Sequence, residues 1–336
     1  MSLIIPFFIH HRGCPHRCLF CNQAGIAGPN RENSDDPVKD LGRTIDRWLE
    51  RSPQREEVQV AFYGGSFTCL DEDVQVGLLQ RVNPYMKKGL VRSIRLSTRP
   101  DCITDEIADF LITAGVRTVE IGAQSMNNKV LQKAGRGHTA EQVINAIQLL
   151  GVRGMETGMQ LMAGLPGEST RSFLDGVRTV IGLSPDLVRL YPTLVMEHTE
   201  LAELYLHSDW RPLSLERAVS LIARAWTMLD EHRIRVIRMG LQPTAELEKQ
   251  LIAGPYHPAF GELVKSRCWY RKIRSLLVRA GRDKTLRLTI NDRDYSALAG
   301  QRRENLERLE KLAHGARLEV DVDASVERGH YRYIVN

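Results

Sequence analysis

Seven short apolar runs rich in β-branched residues punctuate the first 240 positions: LIIPFFI (3–9), VQVAFY (58–63), SIRLS (93–97), TVEIG (118–122), METGMQLM (155–162), LVRLY (187–191) and IRVIRM (234–239). Between them lie stretches with helical rhythm. TDEIADFLITAG repeats its apolar side chains at three- and four-residue steps, and HTAEQVINAIQLLG opens on a capping threonine and closes on glycine. Strict alternation of strand and helix predicts parallel βαβ units. Six or more such units, with chemistry at the strand C-termini, predict an α/β fold built as a complete or partial βα barrel. The opening MSLIIPFFIHH lacks a basic leader and a small-residue cleavage site and reads as a buried strand.

After the seventh strand the pattern changes. GPYHPAFGE (254–262) reads as a connector. Beyond it come a strand TLRLTI, a helix around DRDYSALAG, a helix RENLERLEKLAHG, and strands ARLEVDV and HYRYIV. The division expected is a barrel over 1–253, a connector over 254–264 and a small basic α/β appendage over 265–336.

Charge sharpens that boundary. Residues 265–336 hold 17 lysines and arginines against 10 acids, a net +7, whereas the first 264 residues carry 29 against 31. Nine of the basic residues fall between Lys265 and Arg287, with Asp283 the one acid among them and Trp269 and Tyr270 interleaved. Such a stretch suits a polyanion, because lysine and arginine gain affinity by releasing condensed counterions. Lys265, Arg267, Trp269, Arg271, Lys272 and Arg274 are the candidate nucleic-acid contacts. ALAGQRRENLERLEKLAHGARLEV (297–320) adds the rhythm of a degenerate KH core, with Arg302 and Arg303 in the place of a GxxG loop. A generic βααβ cap with a solvated basic face is the alternative.

No apolar run approaches a membrane span, and the composition, 43% hydrophobic and 26% charged, is that of an ordinary globular chain. A cytoplasmic location and no membrane partner are expected. Six cysteines occur. Cys69, Cys102 and Cys268 are scattered singly and read as small buried hydrophobes, whereas Cys14, Cys18 and Cys21 cluster in GCPHRCLFCNQ as a ligand set. Three thiolates are one short of a closed zinc or iron–sulfur site, so a metal held here keeps an open position. Zinc completed by His10, His11 or His16 is the competing reading.

CPHRCLFC, with Phe20 before the last cysteine, resembles the Cys-x3-Cys-x2-Cys signature of radical S-adenosylmethionine (radical SAM) enzymes. YGGSF (63–67), STRPD (97–101), VEIGAQSM (119–126), GRGHT (135–139), AGLPGE (163–168) and RLYPTLV (189–195) extend the likeness over about residues 5 to 245. They resemble the radical SAM half of the Elongator catalytic subunit, a tRNA-modifying enzyme, and more loosely oxygen-independent coproporphyrinogen III oxidase. The resemblance implies a [4Fe-4S] cluster on Cys14, Cys18 and Cys21. It also implies S-adenosyl-L-methionine as cofactor, a 5′-deoxyadenosyl radical, and a reductant protein such as flavodoxin or ferredoxin.

By the same resemblance Phe20, Gly64, Gly65, Ser66, Ser97, Gln124, Arg136 and Gln160 line the cofactor site. Left to their residue types, Gln124 caps a helix and Arg136 is a surface charge as readily. Ser97 stands where the relatives carry glutamate, Gln160 stands where the coproporphyrinogen enzyme is acidic, and Asn22 and Gln23 directly follow Cys21 in place of that enzyme's extra cysteine, which disfavours coproporphyrinogen oxidation. Only about seventy residues follow the connector, without a glycine-rich acetyl-CoA loop, so the two-domain Elongator reaction is not expected of this chain alone. The expected function is a radical SAM enzyme modifying an RNA base, most readily in tRNA. The alternatives are a small-molecule substrate and a non-catalytic, metal-bearing RNA-binding protein.

Overall fold

Every one of the seven apolar runs is a strand in the computed structural model, which describes residues 2–9, 13–22, 37–52, 55, 57–281, 283–312 and 317–336. The strands are β1 (Ser2–Phe8), β2 (Glu57–Tyr63), β3 (Ser93–Thr98), β4 (Val116–Gln124), β5 (Glu156–Ala163), β6 (Leu187–Pro192) and β7 (Arg235–Met239). They pair in sequence order, all parallel, and curl into a half-barrel. Among the described residues β1 and β7 do not pair with each other, so the barrel is open.

Alternation along each strand decides which face is which. Val60, Ile94, Val119, Met159 and Val188 are fully buried on the outer face, and β2 sets Val60 beside both Ile5 and Ile94. Each such side chain contributes about 1.5–3 kcal/mol through removal from water. Helices α1 (Pro37–Arg51), α2 (Glu72–Lys87), α3 (Asp105–Thr113), α4 (Asn128–Lys133), α5 (Ala140–Val152) and α6 (Thr170–Leu183) connect the strands. Thr139 caps α5 as its sequence implies: its hydroxyl accepts the Gln142 N–H while the Gln142 side chain returns to the Thr139 N–H. Helix α7 (Glu200–His207) follows a two-residue strand, Val195–Met196, that pairs with Leu251–Ala253.

The inner face is polar where the outer face is apolar. Glu120, fully buried on β4, accepts from the Nη2 of Arg189 at 2.9 Å and from the Arg95 Nη1 at 3.4 Å, and it is bonded by the Arg189 Nε as well. The Tyr63 hydroxyl takes a second bond from Arg189, at 3.0 Å, and donates to Glu120 at 3.4 Å. One layer nearer the strand N-termini, Glu156 accepts from Arg235 at 2.6 Å and pairs with Arg95 at 3.7 Å. Burying these charges is tolerable because each is paired and hydrogen-bonded. The hydrophobic pattern marks the strands but not this network.

The chain divides into two compact units, 1–214 with 228–256, and 215–227 with 257–336. The second unit therefore takes in the first thirteen residues of α8 (Leu215–Glu231), which the sequence pattern leaves inside the barrel. Helix α9 (Ala245–Gln250) closes the first unit's chain, and α10 (Phe260–Ala280) begins within the stretch expected to be a connector. In the second unit β8 (Thr285–Ile290) lies between β9 (Arg317–Val322), parallel, and β10 (Tyr331–Val335), antiparallel. Helices α11 (Tyr295–Ala299) and α12 (Glu304–Leu312) fill the connection. Leu286, Leu288 and Ile290 pack with Trp269, Ile273, Leu276, Leu298 and Leu309 as its core.

Two expectations are corrected. Cys69 and Cys102 are not independent buried thiols: a disulfide joins them, with Cα atoms 5.5 Å apart. Trp269 does not face a nucleic acid, for its side chain is 5% exposed in that core. A 21-residue helix turns Trp269 inward together with Cys268 and Ile273, whereas composition alone cannot separate one face of a helix from the other.

Candidate active site

The cysteine loop, described over 13–22, springs from the C-terminal end of β1 and is bonded down on three sides. Leu19 N–H donates to the Ala134 carbonyl at 3.1 Å, Leu201 N–H donates to the Leu19 carbonyl at 2.9 Å, and Asn22 donates to the Glu197 carbonyl and the Gln250 amide. Phe20 is partly buried against Val130, Ala134 and Leu165, which anchors the loop. Cys14 is exposed, Cys18 buried and Cys21 half-buried. Among the described residues no three histidine, cysteine or acidic side chains converge closely enough to hold a metal ion. The thiols share one loop, and metal binding is what draws such ligands together. His16 packs its ring over Gly137, while His10 and His11 lie outside the described residues.

Two glycines let this loop meet the turn after β2. Gly13, at φ +75°, has the Ser66 carbonyl 2.3 Å from where a Cβ would stand, and Gly64, at φ +91°, opens the GGS turn. Ser66 is buried, and its hydroxyl is spent on the protein: it bonds Thr98 at 3.0 Å and Cys69 at 2.9 Å, and accepts the Arg99 N–H at 3.1 Å. The Cys69–Cys102 disulfide adds a covalent tie between the segments after β2 and β3.

Arg136 is 6% exposed, which excludes a solvated surface charge. Its Nη1 donates to the Cys18 Sγ at 3.1 Å and its Nη2 to the Gly122 carbonyl at 2.5 Å. Gln124 ends β4 in the left-handed region at φ +66°, and it caps no helix. A side chain at Gly122 would come within 3.2 Å of the Gln124 amide and 3.4 Å of the Arg136 guanidinium. On the same inner face Gln160 donates to Ser97 at 3.4 Å, bridging β3 and β5 across the strand that separates them.

Arg99 is a functional candidate that the STRPD motif does not single out by pattern. It forks Asp101 at 3.0 and 2.9 Å and donates to the Arg136 carbonyl at 2.6 Å, which sets the turn that carries Arg136. Glu168 of AGLPGE is another. Its carboxylate accepts the Gly164 N–H at 2.9 Å and the Ser125 hydroxyl at 3.1 Å, and burial pushes its pKa up to about 7. His138 is driven the other way, to about 3, by burial and the charges of Arg136 and Arg99, so its imidazole is neutral.

The fit to a bound cofactor rests on polar atoms left over. The Arg99 Nη1, the Arg136 Nε and the His138 Nδ1 are buried without a hydrogen-bond partner among the described residues. Buried groups of this kind are normally satisfied. Guanidinium edges suit a carboxylate, and Gln124 and Gln160 supply the donors and acceptors that a nucleoside requires. The set fits a ligand that carries both a carboxylate and a nucleoside beside the thiol loop.

The predicted nucleic-acid contacts scatter over the second unit. Arg267 forks Glu216 at 2.6 and 2.8 Å, Arg271 bonds the Ser220 hydroxyl at 2.7 Å, Lys265 pairs with Glu262, and Lys272 sits over the Trp269 ring and donates to the Gly329 carbonyl. Arg274, Arg302 and Arg303 are exposed. The Gly300–Arg303 turn replaces a GxxG loop with two left-handed arginines, at φ +51° and +63°.

Residues 8–180 match the model of the Radical SAM superfamily, and residues 185–270 match that of the Radical_SAM C-terminal domain. A tRNA uridine(34) acetyltransferase of Methanocaldococcus infernus is 27% identical over 289 residues, 75% of this chain and 53% of that protein. A heme chaperone HemW of Haemophilus influenzae is 26% identical over 207 residues, 59% of this chain and 53% of the relative. Among solved structures, the archaeal M. infernus Elp3 lacking its N-terminus superposes with a TM-score of 0.65 at 22% identity, covering 82% of this chain and 63% of that one. The chain spans about half the length of the curated relatives it matches.

Proposed function

The chain belongs to the radical SAM superfamily, and from that premise we propose that it modifies a base of tRNA. A superfamily member uses a [4Fe-4S] cluster and S-adenosylmethionine, and the pair supplies a 5′-deoxyadenosyl radical that abstracts hydrogen. In this chain Cys14, Cys18 and Cys21 would hold the cluster. Gly64 and Gly65 bare the backbone of the adjoining turn, Arg136 and Arg99 offer guanidinium edges to a carboxylate, and Gln124, Gln160 and Ser97 face the nucleoside. The observation that carries the assignment is the buried Arg136, which joins Cys18 to the end of β4 and keeps one nitrogen unspent.

The tRNA part of the reading draws its support from the relatives, two of which are tRNA uridine(34) acetyltransferases. A low-potential protein such as flavodoxin or ferredoxin is the proposed electron donor. The test is anaerobic: reconstituted, reduced protein with S-adenosylmethionine, with and without bulk cell tRNA. Faster release of 5′-deoxyadenosine with tRNA, and a mass shift in one nucleoside after digestion, are the expected results. Stimulation by small-molecule extract but not by tRNA would move the substrate to that class. Zinc without sulfide in protein purified away from air would remove the catalytic reading.

A further inference from the structure

Three helical segments of the second unit bring arginines together: the start of α8, the middle of α10 and α12. Arg267 of α10 forks the Glu216 carboxylate of α8, and Arg271, one turn on, reaches the Ser220 hydroxyl. The Arg308 guanidinium of α12 lies 5.7 Å from the centre of the Tyr270 ring and pairs with Glu304 at 3.3 Å. Arg267, Arg308 and Arg271 together hold the Glu216 carboxyl below its usual range. Burial, aided by the like charges of Arg267 and Arg224, pulls Arg271 below the usual guanidinium range. Arg267, Arg271 and Arg308 thus gather around the carboxylates of Glu216 and Glu304, and Arg224, exposed one turn beyond Ser220 on the same face of α8, extends the set. The Glu216 side chain is 71% exposed, so the fork that Arg267 makes with it lies open to exchange.

Four arginines face two carboxylates here, so the pairs that Glu216 and Glu304 make offset the positive charge only in part. A phosphate offers Arg267 the same two-pronged acceptor that Glu216 offers, and Arg308 stacked on Tyr270 presents a flat cationic face. We infer that Arg224, Arg267, Arg271 and Arg308 form a binding surface for the phosphate backbone of RNA, with Glu216 as the internal counter-ion that the phosphate displaces. The inference rests on the tRNA reading for its partner. It replaces the contiguous basic run with residues drawn from three elements, two of which, Arg224 and Arg308, lie outside that run.

The experiment uses the full chain and fluorescently labelled bulk cell tRNA, titrated across a salt series. Arg224→Glu combined with Arg308→Glu should weaken binding tenfold or more, and should lower the slope of log affinity against log salt by about 0.7–0.9 for each phosphate no longer neutralised. Glu216→Gln should tighten binding, because it frees the Arg267 fork. Arg224→Gln with Arg308→Gln, which spares charge reversal, should give a smaller loss of the same sign if the reversed pair folds poorly. Arg171→Glu on α6 of the first unit, 93% exposed, should change little. Unchanged affinity and slope in the double variants, weaker binding by Glu216→Gln, or an acidic polypeptide competing as well as RNA would each overturn the surface. If tRNA still stimulates 5′-deoxyadenosine release in variants that bind normally, the surface is wrong and the tRNA reading stands. Absence of both binding and stimulation in the wild type would sink the two together.

Discussion

Arg136 reaches from the turn after α4 to the second cysteine of the triplet, placing its Nη1 3.1 Å from the Cys18 Sγ while its Nη2 donates to the Gly122 carbonyl. One buried guanidinium thereby ties the cysteine loop to the end of β4, where Gln124 stands. Arg136→Ala should leave iron and sulfide content close to wild type but weaken S-adenosylmethionine binding roughly tenfold or more, the scale of a charge-assisted hydrogen bond. Arg136→Lys should recover little, since a single ammonium nitrogen lacks the planar fork that spans the Cys18 Sγ and the Gly122 carbonyl. Equilibrium binding alongside iron and sulfide assays checks both outcomes. Full affinity in Arg136→Ala would show that the guanidinium only braces the loop.

The Glu120–Arg189 pair carries a stability prediction. Removing one partner leaves the other charge buried and unpaired, so Glu120→Gln and Arg189→Met should each cost about 3–5 kcal/mol. The double variant should cost clearly less than the two together. Denaturant melts of the three proteins test this, and strict additivity would mean that the two side chains do not act as a pair.

The Cys69–Cys102 bridge closes a loop with a sequence separation of 33. Such a link stabilises by roughly 2–4 kcal/mol through restriction of the unfolded chain. Reductant should therefore lower the melting temperature of metal-free wild type and not that of Cys69→Ser/Cys102→Ser. Equal shifts in the two would place the effect elsewhere.

Glu168 makes stability depend on pH with a definite sign. Its folded pKa, near 7, stands above the ordinary 4.5, because burial disfavours the carboxylate. The folded state therefore binds the extra proton, and its contribution is fully present below about 4.5 and lost as pH rises through about 7. His138, depressed to about 3, acts oppositely: its contribution is present above 6.5 and falls away in acid. Glu168→Gln should remove the loss between pH 4.5 and 7 while leaving the acid limb in place. Melts of both proteins over that range decide it, and parallel curves would refute the assignment.

The seven strands, their alternation with helices, the capped helix at Thr139 and the three-cysteine loop were all determined by the sequence. Each depends on local periodicity or spacing, and these survive without knowledge of the fold. The elements of the small second sheet were legible for the same reason. Helix α10 was not, because nine basic residues in and after it mask the apolar stripe of Val264, Cys268, Ile273 and Leu277. Only the tertiary structure decided which charges are buried: Glu120, Arg95 and Arg189 sit on three strands, and parallel pairing alone brings them to one face. It likewise joined Cys69 to Cys102, turned Trp269 inward, and set Glu216 of α8 against Arg267 of α10. The two pairs lie 33 and 51 residues apart. No pattern along the chain records such a distance, since it is closed by packing and not by local geometry.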